Sequence, residues 1–350
     1  MSLSEVMTEP TVVWRLYFSR ETTTADSIEF SVERIINARS KRLSTTEYSE
    51  YSKPTTNIHQ CMLSSKQLDK NINASTMTTM PSTDEEMRKL LKPACTPREI
   101  EEAVRSTFAA TEDIAVKILQ ELDSYDDQNF VAELHGEKVL VKVHNGVESR
   151  DFLRSFHESG DEYDKCSSVI HLQSAIMKQL QSSGVCTSYP LPAKNGLPLA
   201  ICSLPVVSEV HSPTTLVIKV LSWVPGRTMV SFPALPIEAL YHAGIYLGQV
   251  DASLDKLDTT KHPSAHRFHA WDGKNTLELR NFVQYIDDAN RRALVQSILQ
   301  TFETEIINSG DCNKFRTGVL HGDYNDANIL VNADTFQVAG AIDFGDSVAR

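Results

Sequence analysis

Between Val319 and Asp346 the chain reads VLHGDYNDANILVNADTFQVAGAIDFGD. Three side chains there carry ligand or acceptor oxygens at set intervals. Asp323 closes His321-Gly322-Asp323, Asn328 follows, and Asp343 opens Asp343-Phe344-Gly345. Phosphoryl transfer to an alcohol needs such a set. One carboxylate takes the hydroxyl proton, and an amide and a second carboxylate hold magnesium. Asp and Asn also favour turns, which explains each of these residues taken singly. It does not explain their order and spacing between the apolar runs Val319-Leu320 and Ile329-Leu330-Val331. Asp323 suits the base, Asn328 and Asp343 the metal, and His321 suits a residue that holds the loop.

A base and a metal pair must face the phosphates of a donor. Lys142 stands in VLVKVHN, a strand pattern in which an unpaired ammonium is costly to bury. Nucleotide phosphates would satisfy it; the plainer reading puts Lys138 and Lys142 on a wet strand face. The preceding turn, Ser124-Tyr125-Asp126-Asp127-Gln128-Asn129, has no glycine. It can still cover phosphates through backbone N–H groups and the side chains of Ser124, Gln128 and Asn129. An ordinary hairpin turn explains it equally well.

The elements that would position these residues are legible in outline. Thr96-Pro97-Arg98-Glu99 is a capping box with Pro at the first helical position, followed by Ile100, Val104 and Phe108 on one face. Alternation at Ile114, Val116 and Ile118, then Phe130 to Leu134, a tight turn at His135-Gly136, and Lys138 to Val143 predict an antiparallel meander. A helix is predicted from about Ser167 to Ser182, stopped by Gly184. It is the next helix expected after Lys142, and Gln173 on it is a candidate hydrogen-bond partner for that lysine. Strands follow at Ala200 to Val207 and Leu216 to Trp223. Trp223-Val224-Pro225-Gly226-Arg227 breaks the pattern like a hinge. Two helices then carry Leu240, Ala243, Leu247, Val250 and Leu254, and Leu294, Ile298, Phe302 and Ile306. Trp271 and the tyrosines are candidates for a substrate pocket, although core packing is their commoner use.

The fold class implied is α+β: an antiparallel-sheet lobe over residues 83–222 and a helical lobe over 223–350. Residues 1–82 are rich in Ser and Thr, lack sustained periodicity and are expected to be disordered. The chain ends at Arg350, so the helical lobe is expected to be incomplete, and a fragment or non-catalytic binding protein is the competing reading.

The 350 residues are 41% hydrophobic and carry a formal net charge of −12, which argues against non-specific nucleic-acid binding but not against a nucleotide. Six cysteines form no metal-binding cluster and read as reduced thiols. No apolar run reaches membrane-spanning length, and the first residues lack a signal-peptide core. The expectation is a cytoplasmic protein without membrane or nucleic-acid partners.

These motifs resemble those of the aminoglycoside/choline phosphotransferase superfamily, which has a protein-kinase-like two-lobed fold. Within it the chain is most similar to the hydroxylysine kinase group. The resemblance rests on SYDDQNF at Ser124 to Phe130, HGDYNDANIL at His321 to Leu330, DFGD at Asp343 to Asp346 and WVPGR at Trp223 to Arg227. It spans about residues 92–350. His171 stands where those proteins usually carry an acid. The resemblance implies Mg2+ as cofactor and GTP or ATP as phosphate donor. It implies a small amino alcohol as acceptor, 5-hydroxy-L-lysine first, with homoserine, choline or an aminoglycoside as alternatives.

Overall fold

The computed structural model describes residues 84–109, 111, 115–310 and 314–350. The expected disordered extension over 1–82 and the strand position of Ile114 lie outside the described residues. The first described element is helix α1 (Asp84–Leu90), upstream of the capping box, which the sequence pattern does not single out. Helix α2 (Pro97–Thr107) starts as its capping box dictates. Thr96 Oγ1 accepts from the Glu99 N–H at 3.3 Å, and the Glu99 carboxylate accepts from the Thr96 N–H at 2.7 Å. Its apolar stripe, Ile100 and Val104 with Phe108 just beyond, is fully buried.

That stripe packs on a five-stranded antiparallel sheet: β1 (Val116–Leu122), β2 (Gln128–Leu134), β3 (Glu137–Val143), β4 (Ala200–Leu204) and β5 (Thr214–Ser222). The strand order is β1-β2-β3-β5-β4. Strand side chains alternate between faces. Phe130, Ala132 and Leu134, Val139, Val141 and Val143, and Leu216, Ile218 and Val220 therefore form one core with α2. The opposite face breaks the apolar rule in one row. Register pairs Asn129 with Lys142 and Lys142 with Lys219, so a polar line runs across β2, β3 and β5.

Two helices cover that face. Helix α3 (Gly146–Glu158), capped by Asn145, was not anticipated because GVESRDFLRSFHE has a thin apolar stripe. It intervenes between Lys142 and the predicted helix, which forms as α4 (Val169–Ser182) with Ser168 as N-cap. Phe152 of α3, Ile170 of α4, Val217 of β5 and Leu199 pack together. Past the sheet, β6 (Arg227–Thr228) leads to helix α5 (Ile237–Leu254). Leu172, Ile176 and Leu180 of α4 meet Tyr246, Val250 and Leu254 of α5. Leu240 of α5, expected inside, is half exposed.

The described residues divide into two compact units. The larger contains 84–267 and 319–350, including strands β7 (Val319–Leu320), β8 (Ile329–Val331), β9 (Val338–Ala341) and β10 (Val348–Ala349). The other unit covers the described residues within 268–318, including helix α6 (Ala289–Phe302) and a π-helical turn at Glu303–Ile307. Its core uses Val295 and Leu299 rather than the predicted Leu294 and Ile298, a face rotated by one residue toward Val283. Trp271 belongs to this unit. No helix among the described residues is long and apolar enough to cross a membrane.

Helix α4 is held partly by aromatic contacts. The His171 ring lies 4.7 Å from Tyr163, edge-on, and 5.0 Å from His262. Burial, followed by the His262 charge, lowers the His171 pKa to about 4. An unfolded histidine titrates near 6.5. Below that value the unfolded chain takes up a proton that the folded chain refuses, so stability falls as the pH drops from about 6.5 to about 4. The loss attributable to His171 is on the order of 3 kcal/mol. Chemical denaturation across this range will show the slope, and His171→Asn will flatten it.

Candidate active site

Strands β7 and β8 bracket the loop that carries Asp323 and Asn328, and β9 delivers Asp343 beside it. The register of β8 with β9 places Ile329 opposite Ala341, and the Ile342 N–H donates to the Asn328 carbonyl at 2.9 Å. Apolar Ile329 and Val331 anchor β8 in a core with Met229 and Ala239. Arg227 and Thr228, the end of the predicted hinge, pair with Val331 and Leu330 and so reach the same small sheet.

The two loops are joined by backbone contacts that few side chains would allow. Gly322 has φ +85°, and a Cβ there would fall on the Asp346 backbone. His321 is buried and bonded on both nitrogens. Nε2 lies 3.1 Å from the Ile342 carbonyl and therefore donates, and Nδ1 accepts from the Asp323 N–H at 3.4 Å. Burial lowers its pKa, so it is a neutral strut between the loops. Ser347 Oγ donates to the His321 carbonyl at 3.0 Å. Arg267 grips the far side, donating to the Gly345 carbonyl at 2.8 Å and the Ser347 carbonyl at 2.6 Å. Asp343 takes the left-handed backbone at φ +63°, a conformation that Asp tolerates better than most residues.

Asp323 is held by two amides. Asn328 Nδ2 donates to Asp323 Oδ2 at 2.7 Å, and Asn325 Nδ2 donates to Oδ1 at 2.6 Å. Burial, then the charge of Asp346, raises its pKa despite these bonds. A carboxylate so shifted is a better proton acceptor than an ordinary one. Asn328 Oδ1 has no protein donor among the described residues and, with the Asp343 carboxylate, offers the hard oxygens magnesium takes. The Asp343 carboxylate lies 4.0 Å from Lys142 Nζ. The structure thus brings Asp323, Asn328, Asp343 and Lys142 into one cluster.

The nucleotide-side candidates separate. Asn129 stands beside Lys142 on the helix-covered face, and its Oδ1 is buried without a partner. Gln128 points to the opposite face, as alternation requires. Its amide exchanges hydrogen bonds with the Cys95 backbone at 2.8 and 3.0 Å and donates to Glu121 at 2.8 Å. It is buried in a structural network, so the expectation that its side chain meets phosphate is corrected. Ser124 is tied through its carbonyl, which accepts from Lys92 Nζ at 2.8 Å.

Gln173, the candidate partner for Lys142, instead turns its Oε1 to Lys219 Nζ at 3.5 Å. Lys219 also donates to the Ile170 carbonyl at 2.8 Å, and burial followed by the Lys142 charge lowers its pKa to about 7. The partner of Lys142 is Asp127, at 2.7 Å, a residue the sequence reading passed over. Its signal was the acidic doublet Asp126-Asp127 just before the strand that pairs with β3. Burial pulls the Lys142 pKa down, but Asp127 and then Asp343 outweigh it, and the ammonium stays charged. Asp127, His144 and Glu148 bring potential ligand atoms within 4.8 Å of one another. Lys142 and Arg88 already pair with those carboxylates, and the cluster reads as an ion-pair network.

Residues 119–349 match the sequence profile described as the Phosphotransferase enzyme family. A hydroxylysine kinase of Bos taurus is 28% identical over 270 residues, covering 75% of this chain and 67% of that protein. One of Mus musculus is 27% identical over 268 residues, covering 73% and 65%. The chain spans about two thirds of the length of these curated relatives. Among solved structures, the GDP complex of wild-type aminoglycoside 2'-phosphotransferase-IIIa is 14% identical with a TM-score of 0.45, covering 73% of this chain and 74% of that one.

The closeness of the two loops is testable at Gly322. Gly322→Ala combines a disfavoured φ with a collision against backbone, together roughly 3 kcal/mol or more. The variant is expected to melt well below the wild type and to lose nucleotide turnover.

Proposed function

We propose, from the premise that this chain belongs to the phosphotransferase enzyme family, that it transfers the terminal phosphoryl group of a nucleoside triphosphate to the hydroxyl of a small amino alcohol. The observation that carries this reading is the cluster of Asp323, Asn328, Asp343 and Lys142, drawn from three separate segments of chain. Asp323 accepts the hydroxyl proton as the acceptor oxygen attacks phosphorus in line. Asn325 and Asn328 hold its two oxygens in place, which fixes the direction of proton transfer. Lys142 orients the donor phosphates, and Asn129 stands beside it with an unpaired amide oxygen. Asn328 and Asp343 are the residues that would hold magnesium, which neutralises charge on the transferring group when bound. Removal of the metal with a chelator is expected to abolish turnover, and added magnesium to restore it.

Asp323→Ala is expected to lower turnover by roughly 10³-fold or more, because the carboxylate both takes the proton and aligns the acceptor. Nucleotide affinity should change little, since Asp323 faces the acceptor. Steady-state kinetics and direct nucleotide titration on the same preparations check both expectations. Turnover equal to wild type would refute the role of Asp323.

For the acceptor, the reading is 5-hydroxy-L-lysine with GTP or ATP as donor. It is supported by SYDDQNF and HGDYNDANIL and by similarity to proteins named hydroxylysine kinase. The measurement is phosphate transfer from each nucleotide to hydroxylysine, lysine, homoserine, choline and kanamycin. Hydroxylysine is expected to be phosphorylated and lysine, lacking the hydroxyl, to be inert. Equal nucleotide consumption with lysine would defeat the assignment.

A further inference from the structure

The ammonium of Lys142 sits where few groups can compensate it. Its side chain is only 15% exposed, and its neighbour across the β3–β5 ladder is a second lysine, Lys219. Helix α4 carries no carboxylate at all: its Gln173 faces Lys219, and its His171 packs against Tyr163 and His262. The Glu148 carboxylate is directed elsewhere. One oxygen lies 3.3 Å from Arg88, and the other 3.6 Å from His144 Nδ1. Asp343 stands farther from Lys142 than Asp127 does, with a side chain 53% exposed, and it belongs to the metal pair. Asp127 alone among the described residues reaches Lys142 within hydrogen-bond distance.

Asp127 is itself fixed. It accepts from the Asn145 N–H at 2.8 Å through its other oxygen. Asn145, fully buried, donates from Nδ2 to the carbonyls of Arg88 at 2.9 Å and Asp126 at 3.1 Å. Arg88 pairs with Asp126 at 2.9 Å, and Lys92 donates to the carbonyls of Ser124 and Tyr125 at 2.8 and 2.9 Å. The turn that ends in Asp127 is braced from residues 84–92 rather than left to cover the cleft as a free hairpin.

We propose that Asp127 is a positioning residue that holds the Lys142 ammonium in place for the donor phosphates, the part a helix carboxylate would otherwise play. This inference rests on the reading that Lys142 meets those phosphates. An ion pair with one partner removed leaves the other charge to move or to find a new contact, whereas a pair removed together leaves no unpaired buried charge. That asymmetry sets the test.

Titrate the full chain with a non-hydrolysable magnesium–GTP or magnesium–ATP analogue, using wild type, Asp127→Asn, Lys142→Met and the double variant. Asp127→Asn is expected to weaken nucleotide binding by about tenfold or more, while the KM for the acceptor stays within about twofold. Lys142→Met should weaken binding at least as much, and adding Asp127→Asn to it should change affinity by less than about twofold, because Asp127 acts through the lysine. If Lys142→Met binds nucleotide as the wild type does, the phosphate role of Lys142 fails and this inference with it. If Lys142→Met weakens binding and Asp127→Asn does not, only the role of Asp127 fails. Equal effects of Asp127→Asn in both backgrounds would also overturn it, by marking Asp127 as an independent structural residue. Should Asp127→Asn alone lose its cooperative melt, Asp127→Glu, which keeps the charge but moves it by one methylene, replaces it: weakened nucleotide binding supports the role, and wild-type affinity overturns it.

Discussion

A positive charge buried in a sheet sets the terms for the rest of this protein. An ammonium withdrawn from water without a partner costs several kcal/mol, so the surroundings of Lys142 are constrained before any ligand arrives. The fold meets that constraint with Asp127, and the need to hold Asp127 reaches outward through Asn145, Arg88 and Lys92. Helix α1 thereby braces the turn that carries Asp127, through Arg88. Lys219 shows the same constraint met differently. With two neutral acceptors and a charged neighbour, its proton is held loosely, near pH 7.

The second organising feature is the closeness of the two acidic loops. Each carries carboxylates, and like charges at short range repel. They are held together by neutral devices: a glycine with no Cβ at position 322, a neutral imidazole bonded at both nitrogens, and a serine hydroxyl. Arg267 then binds the backbone carbonyls of Gly345 and Ser347. Its charge, close to Asp346, also offsets part of the acidic excess. The arrangement leaves Asp323 with a raised pKa and leaves Asn328 Oδ1 and Asp343 available to a cation.

These two features correspond to the two halves of the proposed phosphoryl-transfer site. In the proposed reading the sheet side would supply positive charge for a polyanion, and the loop side oxygens for a metal and a proton. Register decides which side chains take part on the sheet side. Asn129, Lys142 and Lys219 align because antiparallel pairing sets them opposite one another, whereas Gln128, one residue away, is turned into the core against Cys95.

The sequence by itself determined what depends on local chemistry. The capping box at Thr96, the alternation of β3 and the apolar stripe of α4 all appear where side-chain type and spacing required them. The motif spacing singled out Asp323, Asn328 and Asp343 because turns between short apolar strands leave little freedom in where such side chains go. Tertiary structure alone decided which charges meet. Asp127 is fifteen residues from Lys142 and Arg88 sixty from Glu148, and no local pattern reports pairings at such separations. Helices α1 and α3 escaped the reading because their apolar stripes are thin and their ends are fixed by contacts with distant backbone, as at Gly146 against Leu91. Gln128 departs from expectation for a related reason. Its side-chain chemistry suits a phosphate as well as a backbone amide, and only the face of the strand on which it lies decides between them.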